Sequence, residues 1–182
     1  MTTPSDGEVV RAVLAGDVER YAELVRRYRD RYARYAARLL GSADAAEDAV
    51  QDAFVRAFDQ LAQCRDPEKF AGWFFLILRN RCFAERRRAR RESSIDEAAE
   101  APSEARGSRI EAYVDAKEFR VALQRALLEL TPEQREVFVL KHVEEETYEA
   151  IAARTGATVP SLKMRMHRAY DRLRDLLREH KE

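Results

Sequence analysis

Apolar residues recur along this chain at helical spacing, and the polar positions between them mark where each helix starts and stops. Val9, Val10, Val13 and Leu14 predict a short first helix ended by Gly16. Asp17 is read as the cap of a second helix with the apolar stripe Tyr21, Leu24, Val25, Tyr28, Tyr32, Tyr35 and Leu39. Gly41-Ser42 breaks the pattern, and Ser42 can start a third helix. Its buried face is Ala46, Val50, Ala53, Phe54, Ala57, Phe58 and Leu61, and its opposite stripe is Asp48, Gln51, Asp52 and Asp59. In the connection "QCRDPEK", Asp66 is a natural N-cap and Pro67 suits a first helical position. The fourth helix buries Phe70, Trp73, Phe74, Ile77 and Leu78 and continues into "RNRCFAERRRARR", Arg79 to Arg91.

Further along, Ile110, Tyr113 and Val114 open another amphipathic helix, completed by Leu123, Ala126, Leu127 and Leu130. "TPEQ", Thr131 to Gln134, has the spacing of a capping box with proline at the first helical position. Thr147 caps a short helix holding Ile151, and Gly156 supplies the left-handed residue that ends it. A last helix from Pro160 to about His180 buries Leu162, Met166, Ala169, Leu173 and Leu176. A short helix, a glycine turn and a longer helix make a helix-turn-helix. The expected fold class is all-α.

Composition divides this string of helices in two. The 182 residues hold Lys+Arg 33 and Asp+Glu 33, a net charge of +0, yet the charge is unevenly spread. Residues 1–92 carry 18 basic and 15 acidic side chains, residues 93–118 carry 3 and 7, and residues 119–182 carry 12 and 11. The middle block includes "SSIDEAAEAPSEARGS", which has no aromatics and reads as a flexible acidic linker. Two small helical domains, 1–92 and 119–182, are thus expected on a tether, 93–118, that also holds the start of the next helix. Cys64 and Cys82 form no CxxC and are read as reduced thiols. The first residues lack the basic start and apolar run of a signal peptide, and "WFFLIL" is too short to span a bilayer. A cytoplasmic protein without direct membrane insertion is the expectation.

Charge also points to chemistry. Seven arginines against one acid, Glu85, fill residues 79–91. At 100° per residue Arg79, Phe83, Arg86 and Arg90 share a face roughly opposite Phe70 and Ile77, a basic ladder with an aromatic that suits nucleic acid. The competing reading is a solvated helix end whose cations favour the helix dipole. On the last helix Met164, His167, Arg168 and Asp171 fall away from the apolar stripe, flanked by Ser161 and Lys163, as on a base-reading helix or an ordinary amphipathic one. The acidic stripe is equally open, to solvated surface or to a docking face. Catalysis has little support: His142, His167 and His180 are scattered, His142 reads as structural, and no phosphate loop or nucleophile motif is present. No enzyme, cofactor, metal or small-molecule substrate is expected.

Taken in order, these pieces resemble a bacterial RNA polymerase sigma factor of the extracytoplasmic function group. "AEDAVQDAFVRAF" is similar to the helix that docks on the polymerase clamp helices, and "FAGWFFLILRNRC" to the helix that recognises the −10 promoter element. "LLELTPEQREVFVL" and "TYEAIAARTGATVPSLKMRMHRAYDRL" are similar to the C-terminal domain with its −35-reading helix-turn-helix. The resemblance implies polymerase binding by Glu47, Asp48, Gln51, Asp52 and Arg56. It implies −10 binding by Arg65, Lys69, Arg79, Asn80, Phe83, Arg86, Arg87 and Arg90, with the segment Gln63 to Lys69 capturing a flipped base. It assigns −35 binding to Ser161, Lys163, Met164, His167 and Arg168. The partners it implies are core RNA polymerase (clamp helices and flap), promoter DNA and an anti-sigma factor. "PSLKMR" departs from the family's usual recognition-helix start, and Met164 stands in place of serine. Two alternatives remain at this point: a sigma-like mimic that binds an anti-sigma factor without reading DNA, and an independent helix-turn-helix repressor, which would read symmetric half-sites as a dimer.

Overall fold

The computed structural model describes residues 4–96 and 116–179, and every regular element among them is helical. The chain divides into two compact units, residues 1–85 and 86–182. Ile110, Tyr113 and Val114 lie outside the described residues, as do most of the acidic stretch and His180.

In the first unit α1 runs Asp6–Leu14, α2 Tyr21–Leu40 and α3 Ala43–Asp59, and α4, Phe70–Asp96, starts there, its residues from 86 on belonging to the second unit. Each start has a local cause. Ser5 and Glu8 form a reciprocal capping box on α1, and the Ser42 hydroxyl accepts from the Ala45 amide at 3.2 Å on α3. Gly41 takes φ 78° and ends α2 by donating its amide to the Ala37 carbonyl at 2.8 Å, a left-handed turn that a Cβ would strain. Asp66 caps the turn Pro67–Lys69 that leads into α4, as its position before proline predicts. Asp17 does not cap α2: a turn, Val18–Arg20, intervenes, and the Asp17 side chain makes no capping bond.

Aromatic packing holds these helices together. The Phe54 and Phe74 rings stack at 4.2 Å between centroids, and Tyr32 packs on Phe74 at 5.1 Å. Two tyrosines add directed bonds, Tyr32 Oη donating to the Ala71 carbonyl at 2.7 Å and Tyr21 Oη to the Phe54 carbonyl at 2.8 Å. Phe58, expected in this core, is instead exposed on one side, with its ring centre 5.1 Å from that of Tyr21.

The second unit contains α5 (Ala116–Leu128), α6 (Pro132–His142), α7 (Tyr148–Thr155) and α8 (Val159–Glu179). Its core joins Ala126 and Leu130 to Ala169, Leu173 and Leu176, with Leu123, Leu127 and Phe138 packed against them. Thr131 and Gln134 form the expected capping box on α6, and Thr147 caps α7. The carbonyls at the end of α5, which have no partner inside the helix, are met by two buried guanidinia. Arg135 Nε donates to the Leu127 carbonyl, and Arg86 Nη2 donates to the carbonyls of Leu128 and Leu130 at 3.1 Å each. The helix's negative end compensates their charge, while burial, with each cation close to another, pushes both pKa values down, that of Arg135 to about 9.

Replacing Phe74 by Ala removes a fully buried ring and should lower the unfolding free energy by about 3–5 kcal/mol in urea titrations, against no more than about 0.5 kcal/mol for the exposed Val18. Arg86→Ala should cost about 2 kcal/mol, the worth of its charge-assisted bonds to carbonyl oxygens, whereas Arg90→Ala, at an exposed position, should be near neutral in the same assay.

Candidate nucleic-acid interface and docking surface

The outward face of α3 is built by default: Ala46, Ala49, Val50, Ala53, Phe54 and Ala57 turn into the core. Glu47, Asp48, Gln51 and Arg56 are thereby left exposed, and Asp52 half-buried. Glu47 is paired with Arg29 of α2. Asp52 accepts from Arg81 Nε at 2.6 Å and lies 3.6 Å from Arg56 Nε, so this member of the stripe is engaged by α4. Beside this stripe, α2 and α3 enclose a groove of about 460 Å³ lined by Tyr21, Val25, Phe54, Val55 and Phe58, with Arg29, Glu47 and Gln51 on its rim. Val55 and Phe58 are 55% and 41% exposed. Sequence reasoning missed this apolar side of the face: it left Val55 unassigned and put Phe58 in the core.

The arginine segment divides by neighbour. Arg81 is consumed by Asp52 and by Glu85, at 3.0 Å, and Arg79 lies 4.5 Å from the centre of the Phe83 ring. Two residues expected on the outward ladder are buried: Phe83 is 7% and Arg86 9% exposed. The reason is geometric. Residues spaced four apart lie about 40° further round a helix at each step, so the buried row Phe70, Phe74, Leu78, Cys82, Arg86 has wound about 160° by its end. The side opposite Phe70 is thus the buried side at Arg86. Asn80 and the run Arg87, Arg88, Arg90 and Arg91 are exposed.

Ahead of α4, Arg65 and Lys69 are exposed, with Lys69 Nζ 3.1 Å from Asp66. Cys64 is buried in this connection, and burial together with Asp66 raises its thiol pKa, the reverse of what a reactive thiolate needs.

In the second unit α7 ends at Gly156, φ 73°, which donates to the Ala152 carbonyl, and α8 follows within three residues. Ile151, Leu162 and Met166 are buried where α7 packs on α8, and this fixes the rotation of the longer helix. Lys163, Met164, His167 and Arg168 are consequently exposed and Ser161 half-buried, with Met164 at 53%. His167 Nε2 lies 3.4 Å from Asp171, and Lys163 Nζ 5.9 Å from the centre of the Tyr148 ring. His142 is exposed, with Nε2 hydrogen-bonded to the Tyr170 hydroxyl at 2.5 Å and its ring 4.9 Å from that of Phe138. Among the described residues no group of three or more His, Cys, Asp or Glu could hold a metal, and no helix is long and apolar enough to cross a membrane.

Residues 24–92 match the family Sigma-70 region 2 and residues 120–173 match Sigma-70, region 4. The chain is 35% identical over 161 residues to the ECF RNA polymerase sigma factor SigE of Mycolicibacterium smegmatis, covering 87% of this chain and 62% of that protein. It is 32% identical over 143 residues to EcfG of Rhodopseudomonas palustris, covering 79% and 77% of the two chains. To SigL of Mycobacterium tuberculosis it is 30% identical over 175 residues, covering 92% and 97%. Among solved structures it is similar to the sigma factor RpoE of Bartonella quintana, crystallised with the anti-sigma factor NepR (TM-score 0.60, 26% identity, 87% of this chain and 96% of that one). It is also similar to CnrH in complex with the cytosolic domain of CnrY (TM-score 0.62, 25% identity, 97% and 99%). With both sigma regions in order on one chain and full-length relatives at this identity, the chain belongs to the extracytoplasmic function group of bacterial RNA polymerase sigma factors, the subunits that bind core polymerase and direct it to promoters.

Proposed function

We propose that this sigma factor docks on polymerase with the α3 face, through Glu47, Asp48, Gln51, Asp52 and Arg56 and the apolar groove beside them. Val55 and Phe58 add the desolvated contact area that a purely charged stripe lacks. Arg65, Lys69 and Asn80 read the −10 element, with Arg87 and Arg90 on nearby phosphates; Phe83 and Arg86 act from the interior, by holding the helix in place. Ser161, Lys163, Met164, His167 and Arg168 read the −35 element. Domains 1–92 and 119–182 each contact DNA weakly, and attachment to one polymerase makes the second contact intramolecular. The protein works in the cytoplasm, catalyses no reaction, and is restrained by an anti-sigma factor that covers the α3 face; the complexes of its structural relatives support that last role.

The observation that carries the reading is solvent exposure at both ends of the chain: Asp48 and Gln51 in region 2, and Met164, His167 and Arg168 in region 4, are all exposed. Run-off transcription with purified core polymerase on a genomic fragment library tests it directly. Promoter-dependent products are expected, and their absence with a folded protein leaves the non-transcribing mimic as the better account. At the residue level, Arg87→Ala and Arg90→Ala should each flatten the log–log salt dependence of promoter binding by about 0.9 per lost phosphate contact. An unchanged slope would remove those side chains from the DNA. Met164→Ser should shift −35 base preference and leave that slope alone, because an apolar base-edge contact releases no counterion.

A further inference from the structure

The first turn of α1 joins two parts of the first unit that are far apart in sequence. On one side the Asp6 carboxylate accepts from Arg27 and from the Tyr28 hydroxyl of α2, and Arg27 Nη2 also donates to the Pro4 carbonyl at 2.9 Å. Burial, with Asp6 adding to it, raises the Tyr28 pKa, so that hydroxyl stays a donor. On the other side the turn meets the segment ahead of α4. The Glu68 carboxylate accepts from Arg11 Nη2 at 3.0 Å, from Ser5 Oγ at 3.3 Å and from the Gly7 amide. Arg11 is the main cause holding the Glu68 pKa below its ordinary value.

Gly7 makes room for this contact. A Cβ built there would lie 1.9 Å from Glu68 Oε1 and 2.3 Å from its carboxyl carbon. Any larger residue therefore expels the carboxylate from the helix. Within its own segment the Glu68 amide donates to Asp66 Oδ1 at 3.3 Å, and Asp66 pairs with Lys69. Arg65 and Lys69 thus flank, on one short connection, the residue that hydrogen-bonds to α1. Helix α1 lies outside the residues that match Sigma-70 region 2, which begin at 24.

We propose that Ser5, Gly7 and Arg11 are positioning residues for −10 recognition: by seating Glu68 on the first turn of α1 they fix the Arg65–Lys69 segment, and so set base discrimination rather than docking. The inference rests on the reading of that segment as part of the −10 reader. It makes the N-terminal helix a determinant of promoter choice without its touching DNA.

Gly7→Ala separates this role from a structural one. The added methyl displaces only the end of a flexible side chain, while alanine is the better helix former, so the thermal midpoint should hold or rise. The assay is run-off transcription with core polymerase, using a cognate promoter and its single-base −10 variants. The ratio of cognate to variant product should fall about two- to fivefold in Gly7→Ala, Arg11→Ala and Glu68→Ala, with core-polymerase affinity unchanged, and Arg11→Lys should retain most of it. Discrimination unchanged in Gly7→Ala and Glu68→Ala, but lowered by Arg65→Ala or Lys69→Ala, overturns the positioning role and leaves the −10 reading standing. Discrimination unchanged in Arg65→Ala and Lys69→Ala as well overturns the −10 reading, and the inference with it. A uniform loss on all templates with a lowered thermal midpoint in Gly7→Ala means the contact only stabilises the fold, which also overturns it.

Discussion

The stacking of Phe74 on Phe54 is the contact on which the first unit turns. It presses α4 onto α3 while Tyr32 brings in α2, and it fixes the rotation of each helix about its own axis. Once the alanines and Phe54 of α3 are inside, Asp48, Gln51 and Val55 have nowhere to go but out. The outward face of α3 is thus a consequence of the core, and no separate element builds it. On α4 the buried row winds around the helix as it advances, so the exposed side changes along its length.

This winding accounts for how a neutral chain handles a stretch so rich in cations. Arg81 is neutralised by Asp52 and Glu85, and Arg86 is turned inward onto carbonyls at the end of α5. Desolvating a guanidinium is costly, and the partial negative charge of a helix terminus offsets part of that cost. The exposed run from Arg87 to Arg91 is then more compact than seven evenly spread cations would be, and its field is correspondingly focused. Arg81 also joins α3 to α4, since its partner Asp52 lies on the outward stripe of α3.

Much of this was legible in the sequence because its causes are local. Ser42, Asp66-Pro67, the Thr131–Gln134 box, Thr147 and Gly156 each act within one turn of the residues that name them, and the α8 stripe lies on a helix packed along one side. Errors arose where the cause is distant or cumulative. Phe83 and Arg86 read as outward only along a straight face of α4, whereas the buried row drifts by about 40° per four residues. Phe58 has the right period but lines the groove between α2 and α3, where one side of its ring stays open. The contact of Glu68 with Ser5, Gly7 and Arg11 spans some sixty residues and leaves no local pattern; only the glycine at position 7, inside a helix start, hints that something sits close by.

The central claim is that two surfaces of one chain, the segment ahead of α4 and the outer face of α8, meet the two elements of a promoter at once. Site-specific photocrosslinking in a complex of core polymerase, promoter and this protein measures that directly, with the photoreactive side chain at position 65 or at position 164. The account predicts adducts confined to the −10 region from position 65 and to the −35 region from position 164, on the same DNA molecules. Adducts to polymerase alone from either position, or adducts scattered along the DNA, would contradict it.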